Sequence, residues 1–305
     1  ENYEPVTWAE ALIEPALAIE HPRVPSLYVI ASLCWMAGRL DDGVRYVEAG
    51  QNALTETRET PPYAMEGWLG AAYLPVGQPQ RWAELCSTQL ERRGDDHVYI
   101  RACRVFALAF AGLIDEAVAG AVGLIEAGAA TKNPYMYTFA VAASGFPLHT
   151  TDPGPALDVC RQGLEIAQDS GNHFNESILA LNLARFAALE AVTEEAFEYL
   201  TLVIRNYHDS GNVATVRTPL GVLSAFLDRI GRFEAAATIA GFALSPMAVA
   251  AAPELTIAIA HLREVIGDQT YESFAQSGEA MTMATVAAYA YEQIDQVRAQ
   301  LAQLR

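Results

Sequence analysis

Asp169-Ser170-Gly171-Asn172 and Asp209-Ser210-Gly211-Asn212 are the same tetrapeptide, 40 positions apart, and their reading decides the fold. Glycine adopts the left-handed backbone conformation that ends a helix. Asparagine then accepts a backbone N–H and starts the next helix. Each copy therefore marks one helix ending and another beginning. Around them apolar residues recur at three and four spacing, strand-like alternation is scarce, and Ala, Leu, Glu, Gln and Arg fill the segments, as helix propensity favours.

The period runs outward from these turns. Helices paired as a hairpin need a small residue where they cross. Such residues stand at Gly43, Ala83, Ala117, Ala156, Ala196 and Ala236, in steps of 40, 34, 39, 40 and 40. Acidic turns precede several of them, as in Leu113-Ile114-Asp115-Glu116 and Thr193-Glu194-Glu195. Two helices per repeat of this length read as an all-α helical solenoid. First helices are predicted over 24–38, 62–75, 97–111, 134–146, 173–190 and 214–230. Their partners are predicted over 41–55, 79–93, 114–128, 153–169, 193–209 and 232–244. Residues 1–23 read as an opening helix, 24–250 as the hairpin repeats, and 251–305 as a cap of helices over 254–266, 268–277 and 282–303. The span 1–305 thus reads as a single repeat domain.

Composition bounds the chemistry. The 305 residues are 52% hydrophobic and 18% charged, with a net charge of −18. That is too apolar for a disordered chain. A free-standing nucleic-acid binder needs a basic surface, so the acid excess argues for a solvated outer face or a docking surface for a basic partner. Lys132 is the only lysine, and Thr131 and Asn133 flank it, so no phosphate-binding P-loop exists. Neither a G-x-G dinucleotide fingerprint nor a G-x-S-x-G nucleophile elbow is present. Cys34, Cys86, Cys103 and Cys160 form no C-x-x-C pair and have apolar neighbours. They read as buried free thiols in a reducing, cytoplasmic setting. Two uncharged stretches, 133–151 and 235–253, are broken by Pro134, Pro147 and Pro246 and read as buried helix plus loop rather than membrane spans. His173 with Glu176 and His261 with Glu264 share helix faces, but two ligands do not make a metal site. No metal, cofactor or catalytic group is expected. The absent Met and the start Glu1-Asn2-Tyr3-Glu4-Pro5 read as a domain taken from a larger protein.

Leu69-Gly70, Tyr73 and Gly77 in the second repeat, and Leu220, Leu223, Leu227, Gly231 and Ala236 in the sixth, resemble tetratricopeptide repeats. Arg101 and Arg104 stand where that family places apolar residues. A closer resemblance lies in Gly231–Ala243, His261–Tyr271, Gly278–Thr282 and Ala287–Ala290. These segments are similar to the C-terminal helical-repeat region of large modular signalling proteins of mycobacteria and related actinobacteria. Those proteins join a nucleotide-cyclase domain, an AAA-like ATPase or a LuxR-type DNA-binding module to such repeats. The resemblance implies a right-handed solenoid of about six hairpins with a regulatory, non-catalytic role. Its concave groove would bind a ligand or protein partner and control the attached module. The alternative is a stand-alone tetratricopeptide-type adaptor between proteins, and an α-solenoid enzyme is the third class considered.

In tetratricopeptide solenoids the first helix of each pair lines the concave groove. The alignment assigns Tyr28 and Trp35 of the first repeat, Tyr99 and Phe106 of the third and Asp228 of the sixth to that groove. Asn182 and Arg185 lie on the first helix of the fifth. Aromatic and polar groups there suit a peptide or small ligand. The competing reading is that the aromatics pack between repeats. Partners implied are other domains of the parent polypeptide and a peptide or small molecule in the groove, with no direct nucleic-acid or membrane contact.

Overall fold

A computed structural model describes residues 3–56, 60–151 and 153–303, and all regular elements among them are helices. Contacts gather the chain into two compact units, 1–151 and 152–305.

In the first unit, α1 (Glu4–Ala18) packs on α2 (Val24–Ser32). A 3-10 turn, Leu33–Ala37, continues α2, which pairs with α3 (Leu40–Glu56). The next first helix is short: α4 (Glu66–Leu69) runs into the 3-10 segment Gly70–Tyr73 and packs on α5 (Pro79–Arg93). Then α6 (Val98–Phe110) pairs with α7 (Ile114–Ala121). The predicted helix over 114–128 is broken, because Gly123 takes φ 70° and α8 (Leu124–Ala130) starts afresh. Arg101 fills that break by donating to the Val122 carbonyl at 2.9 Å, and Arg104 donates to Ser87 Oγ at 2.9 Å. The two arginines in apolar slots thus serve their neighbours' polar groups. Last comes α9 (Pro134–Thr151). First helices neighbour one another: α2 packs on α4, α4 on α6, and α6 on α9.

The Leu-Gly motif has a steric reason. A Cβ on Gly70 would lie 2.5 Å from Trp82 Cδ1, so only glycine admits the indole. Trp82 is then fully buried, and its Nε1 donates to the Gly67 carbonyl at 2.8 Å. Tyr73 is also buried; its hydroxyl accepts from Gln51 Nε2 at 3.0 Å, and the Arg81 guanidinium lies 4.1 Å above its ring.

In the second unit, α10 (Pro153–Asp169) packs on α11 (His173–Ala187), and α11 on α12 (Glu194–Asp209). The tetrapeptides behave alike. Gly171 and Gly211 take φ 67° and 70°. The following N–H groups reach back to Ala167 O at 2.8 Å and Tyr207 O at 2.9 Å. Asn172 Oδ1 then accepts from Asn175 N at 3.2 Å, and Asn212 Oδ1 from Thr215 N at 3.0 Å. Next, α13 (Arg217–Arg229) pairs with α14 (Phe233–Ala243). A short helix, α15 (Pro246–Ala251), occupies a stretch with no predicted element. Beyond it, α16 (Glu254–Ile266) packs on α13 and α17 (Asp268–Glu279) on α14. Finally α18 (Met283–Gln303) turns back along α12 and α14. No helix among the described residues is long and apolar enough to cross a membrane.

All six small crossing residues are buried. At Ala236 the helices approach closely enough for Ser224 Oγ to donate to its carbonyl at 2.8 Å. The tightest crossing joins α14 to α17. A Cβ on Gly241 would lie 2.0 Å from Ala275 O, and one on Gly278 1.8 Å from Thr238 O. Neither contact can relax by moving a side chain, because both neighbours are backbone. Gly278→Ala should therefore destabilise the second unit by about 3 kcal/mol or more, read as a lower denaturation midpoint. An unchanged midpoint would refute the crossing.

Candidate functional site

The residues assigned to the groove divide by chemistry. In the first unit the aromatics are packed. Tyr28 is half-buried, with its ring 6.4 Å from that of Tyr46. Trp35 is 3% exposed, and its Nε1 has no hydrogen-bond partner among the described residues. Tyr99 and Phe106 of α6 are buried around Phe139 of α9, at ring distances of 5.0 and 5.5 Å. Trp68 of α4 adds a 5.8 Å contact, and Tyr135 a stacked one at 5.9 Å. Burial pushes the Tyr135 hydroxyl up to about 12 and that of Tyr99 well above its ordinary range. The rings around Phe139 hold successive first helices together, so the packing reading describes Tyr99 and Phe106, while Trp35 is buried against Gly43 of α3. Phe139 and Trp68, the centre of the cluster and its α4 contributor, were not among the sequence candidates. The spacing of Tyr135 and Phe139 by one helical turn was the available signal.

In the second unit the polar candidates find specific partners. Arg185 and Glu254 form an ion pair, with Nε to Oε1 at 2.9 Å and Nη2 to Oε2 at 3.0 Å. Asp228 holds His261 Nδ1 at 2.9 and 3.0 Å from its two oxygens. Glu254 and His261 are two helical turns apart on α16, so Arg185 and Asp228 are brought to one helix. Asn182 is buried on α11, one turn before Arg185. At the other end of α11, buried Glu176 accepts from Gln168 Nε2 at 3.2 Å and Asn206 Nδ2 at 3.1 Å, and contacts His173 Nδ1 at 2.7 Å. His261, paired in the sequence reading with Glu264, turns instead to Asp228. Among the described residues no ring contact joins Tyr28 or Trp35 to Tyr99 or Phe106. Sequence reading paired Glu176 with His173, as the structure does, but missed Glu254; a carboxylate inside a helix gives no local sign of a distant partner.

Two other positions bear on chemistry. His97 accepts from Tyr99 N at 3.3 Å and caps α6. Desolvation, helped by Arg93, lowers its pKa and keeps that nitrogen free to accept. It lines a cleft of about 440 Å³ with Asp95, Asp96, Thr131, Asn133 and Met136. The cysteines are all buried free thiols. Burial raises Cys34 to about 11 and Cys160 to about 12, and raises Cys86 and Cys103 as well. None is activated as a nucleophile. Among the described residues no group of three His, Cys, Asp or Glu side chains is placed to hold a metal ion. In comparisons with known proteins, no family model and no curated sequence matches the chain.

Arg185→Ala leaves Glu254 without its counter-ion and should destabilise the second unit by about 3 kcal/mol. The double variant Arg185→Met, Glu254→Leu should recover most of that loss in chemical denaturation; no recovery would show that Arg185 acts through other contacts.

The thiols set an alkaline limit. Their folded pKa values lie above the ordinary 9.0, so above that pH the unfolded chain releases protons that the folded chain keeps. Their stabilising contribution is complete below pH 9.0 and is lost as pH rises through about 11 for Cys34 and about 12 for Cys160. The unfolding midpoint should fall between about pH 9 and 12, with a shallower fall in Cys34→Ala; equal slopes would remove Cys34 as a cause.

Proposed function

We propose that the chain is the regulatory helical-repeat module of a multidomain signalling protein, built as a right-handed tetratricopeptide-type solenoid. A ligand or protein partner engages the face presented by the first helices and shifts the module's pose against an attached ATPase, cyclase or DNA-binding domain. Such a shift needs different affinities for the two poses. One observation carries the reading. The segments that resemble the actinobacterial repeat regions, 231–243, 261–271, 278–282 and 287–290, lie on successive helices, with α14 packed on α16, α17 and α18 and α16 on α17. That supports their being one structural unit rather than chance similarities. The neighbouring first helices α2, α4, α6 and α9 of the first unit support the repeat architecture.

The parent gene tests this directly. The same reading frame is expected to encode a cyclase, ATPase or helix-turn-helix module, and deleting residues 1–305 from it should alter that module's activity. A frame confined to these residues would overturn the modular reading and favour a stand-alone adaptor.

A further inference from the structure

A cleft of about 570 Å³ opens in the second unit beside the first turn of α14, away from the first-helix residues considered above. Gly231 to Ala235 line it, with Ile266, Phe274, Tyr289, Gln293 and Gln296 opposite. Its volume suits a small organic ligand. The rings of Phe233, Phe274 and Tyr289 are half-buried in it, which leaves apolar surface to cover.

The polar groups are arranged for a ligand. Arg232 Nη2 donates to Gln293 Oε1 at 2.8 Å and to Gln296 Oε1. Both acceptors are neutral, and no carboxylate pairs with Arg232 among the described residues, so its charge and remaining N–H groups stay available. Gln293 is 6% exposed. Its Oε1 is taken by Arg232, while its Nε2 has no acceptor among the described residues although it lines the cleft. That donor is therefore open to a ligand in the cleft. No side chain caps the start of α14, so the N–H groups of its first turn add donors and a favourable dipole for an anion. Glu234, exposed on the same turn, supplies the opposite charge.

The geometry points to a binding site for a small zwitterion with an apolar body, of which a free aromatic amino acid is the simplest form. Its carboxylate takes the free edge of Arg232 and Gln293 Nε2. Its ammonium takes Glu234. Its ring packs between Phe274, Phe233 and Ile266. A simple anion meets repulsion from Glu234, and a simple amine meets repulsion from Arg232, so the pair of charges selects for both groups on one molecule. None of the residues lining this cleft is among the groove candidates, and binding there requires no attached domain.

Calorimetric titration of the full chain tests it with four probes: L-phenylalanine, L-tryptophan, and the half-ligands 3-phenylpropionate and phenethylamine. The amino acids should bind saturably, and each half-ligand about tenfold more weakly, as expected for losing one charged hydrogen bond. Glu234→Gln, at an exposed position in the first turn of α14, should lower thermal stability only slightly and leave the chain folded. It should weaken phenylalanine about tenfold while leaving 3-phenylpropionate equal or tighter. Phe274→Ala should weaken every probe. Arg232→Gln should weaken phenylalanine and 3-phenylpropionate but not phenethylamine; should it loosen α18, the Glu234 variant and the half-ligands still decide the matter. No saturable heat from either amino acid up to about 10 mM, a range where binding is only about 3 kcal/mol, overturns the proposal. So does 3-phenylpropionate binding the unaltered protein as tightly as phenylalanine, or affinity unmoved by Glu234→Gln.

Discussion

Helices in this protein meet almost backbone to backbone, and that proximity governs what else each unit can hold. The α14–α17 crossing is the extreme case, where Gly241 and Gly278 face carbonyl oxygens with no room for a methyl group. The crossing at Gly128 leaves its absent Cβ 2.9 Å from Ala140 Cβ, and that at Gly50 leaves 3.0 Å to Tyr28 Cβ. Thin, alanine-rich layers bury little area per residue, so many must be stacked. This explains a chain that is 52% hydrophobic yet poor in large aliphatic runs. Where the backbones come closest, a large side chain enters as the opposite helix gives up its own, as Gly70 does for Trp82.

The helices were legible because their ends are chemically local. A glycine at positive φ and an asparagine three residues before an N–H need no knowledge of the distant chain, and both copies of the tetrapeptide behave as that logic requires. Where packing competes with propensity, the reading fails. The predicted helix over 62–75 is instead 3-10 turns flanking a single α turn, with Tyr63 at φ 57°. Gly67 and Gly70 sit there against Ile100 and Trp82, residues of later elements. The backbone takes the shape those neighbours impose, and no window of sequence contains them.

Site residues were legible by kind and not by partner. Asn182, Arg185 and Asp228 stand out as polar groups on helices otherwise apolar, and the structure gives Arg185 and Asp228 definite work. Their partners lie 69 and 33 positions onward, and any of 37 acidic residues could have served Arg185. The aromatic candidates pose a different ambiguity. A ring on a first helix looks the same in sequence whether it faces a groove or a neighbouring helix, and burial of Trp35, Tyr99 and Phe106 follows from how closely the helices approach.

Net charge misleads in the same way. At −18 the chain should repel anions, and most described arginines do sit beside acids: Arg39 beside Glu10 and Asp42, Arg93 beside Glu66, Arg298 beside Glu198. The start of α13 to the start of α14 is different. Arg217 bonds the Phe242 carbonyl, Arg229 the Ala188 and Glu190 carbonyls, and Arg232 two glutamine oxygens. A guanidinium held by neutral oxygens is positioned without being neutralised. Arg232 keeps its charge in this way, and screening over about 10 Å keeps the distant acids from cancelling it. The cleft at Arg232 therefore favours a carboxylate despite the acid excess of the whole chain, and Glu234 at the same turn determines what else that carboxylate must carry.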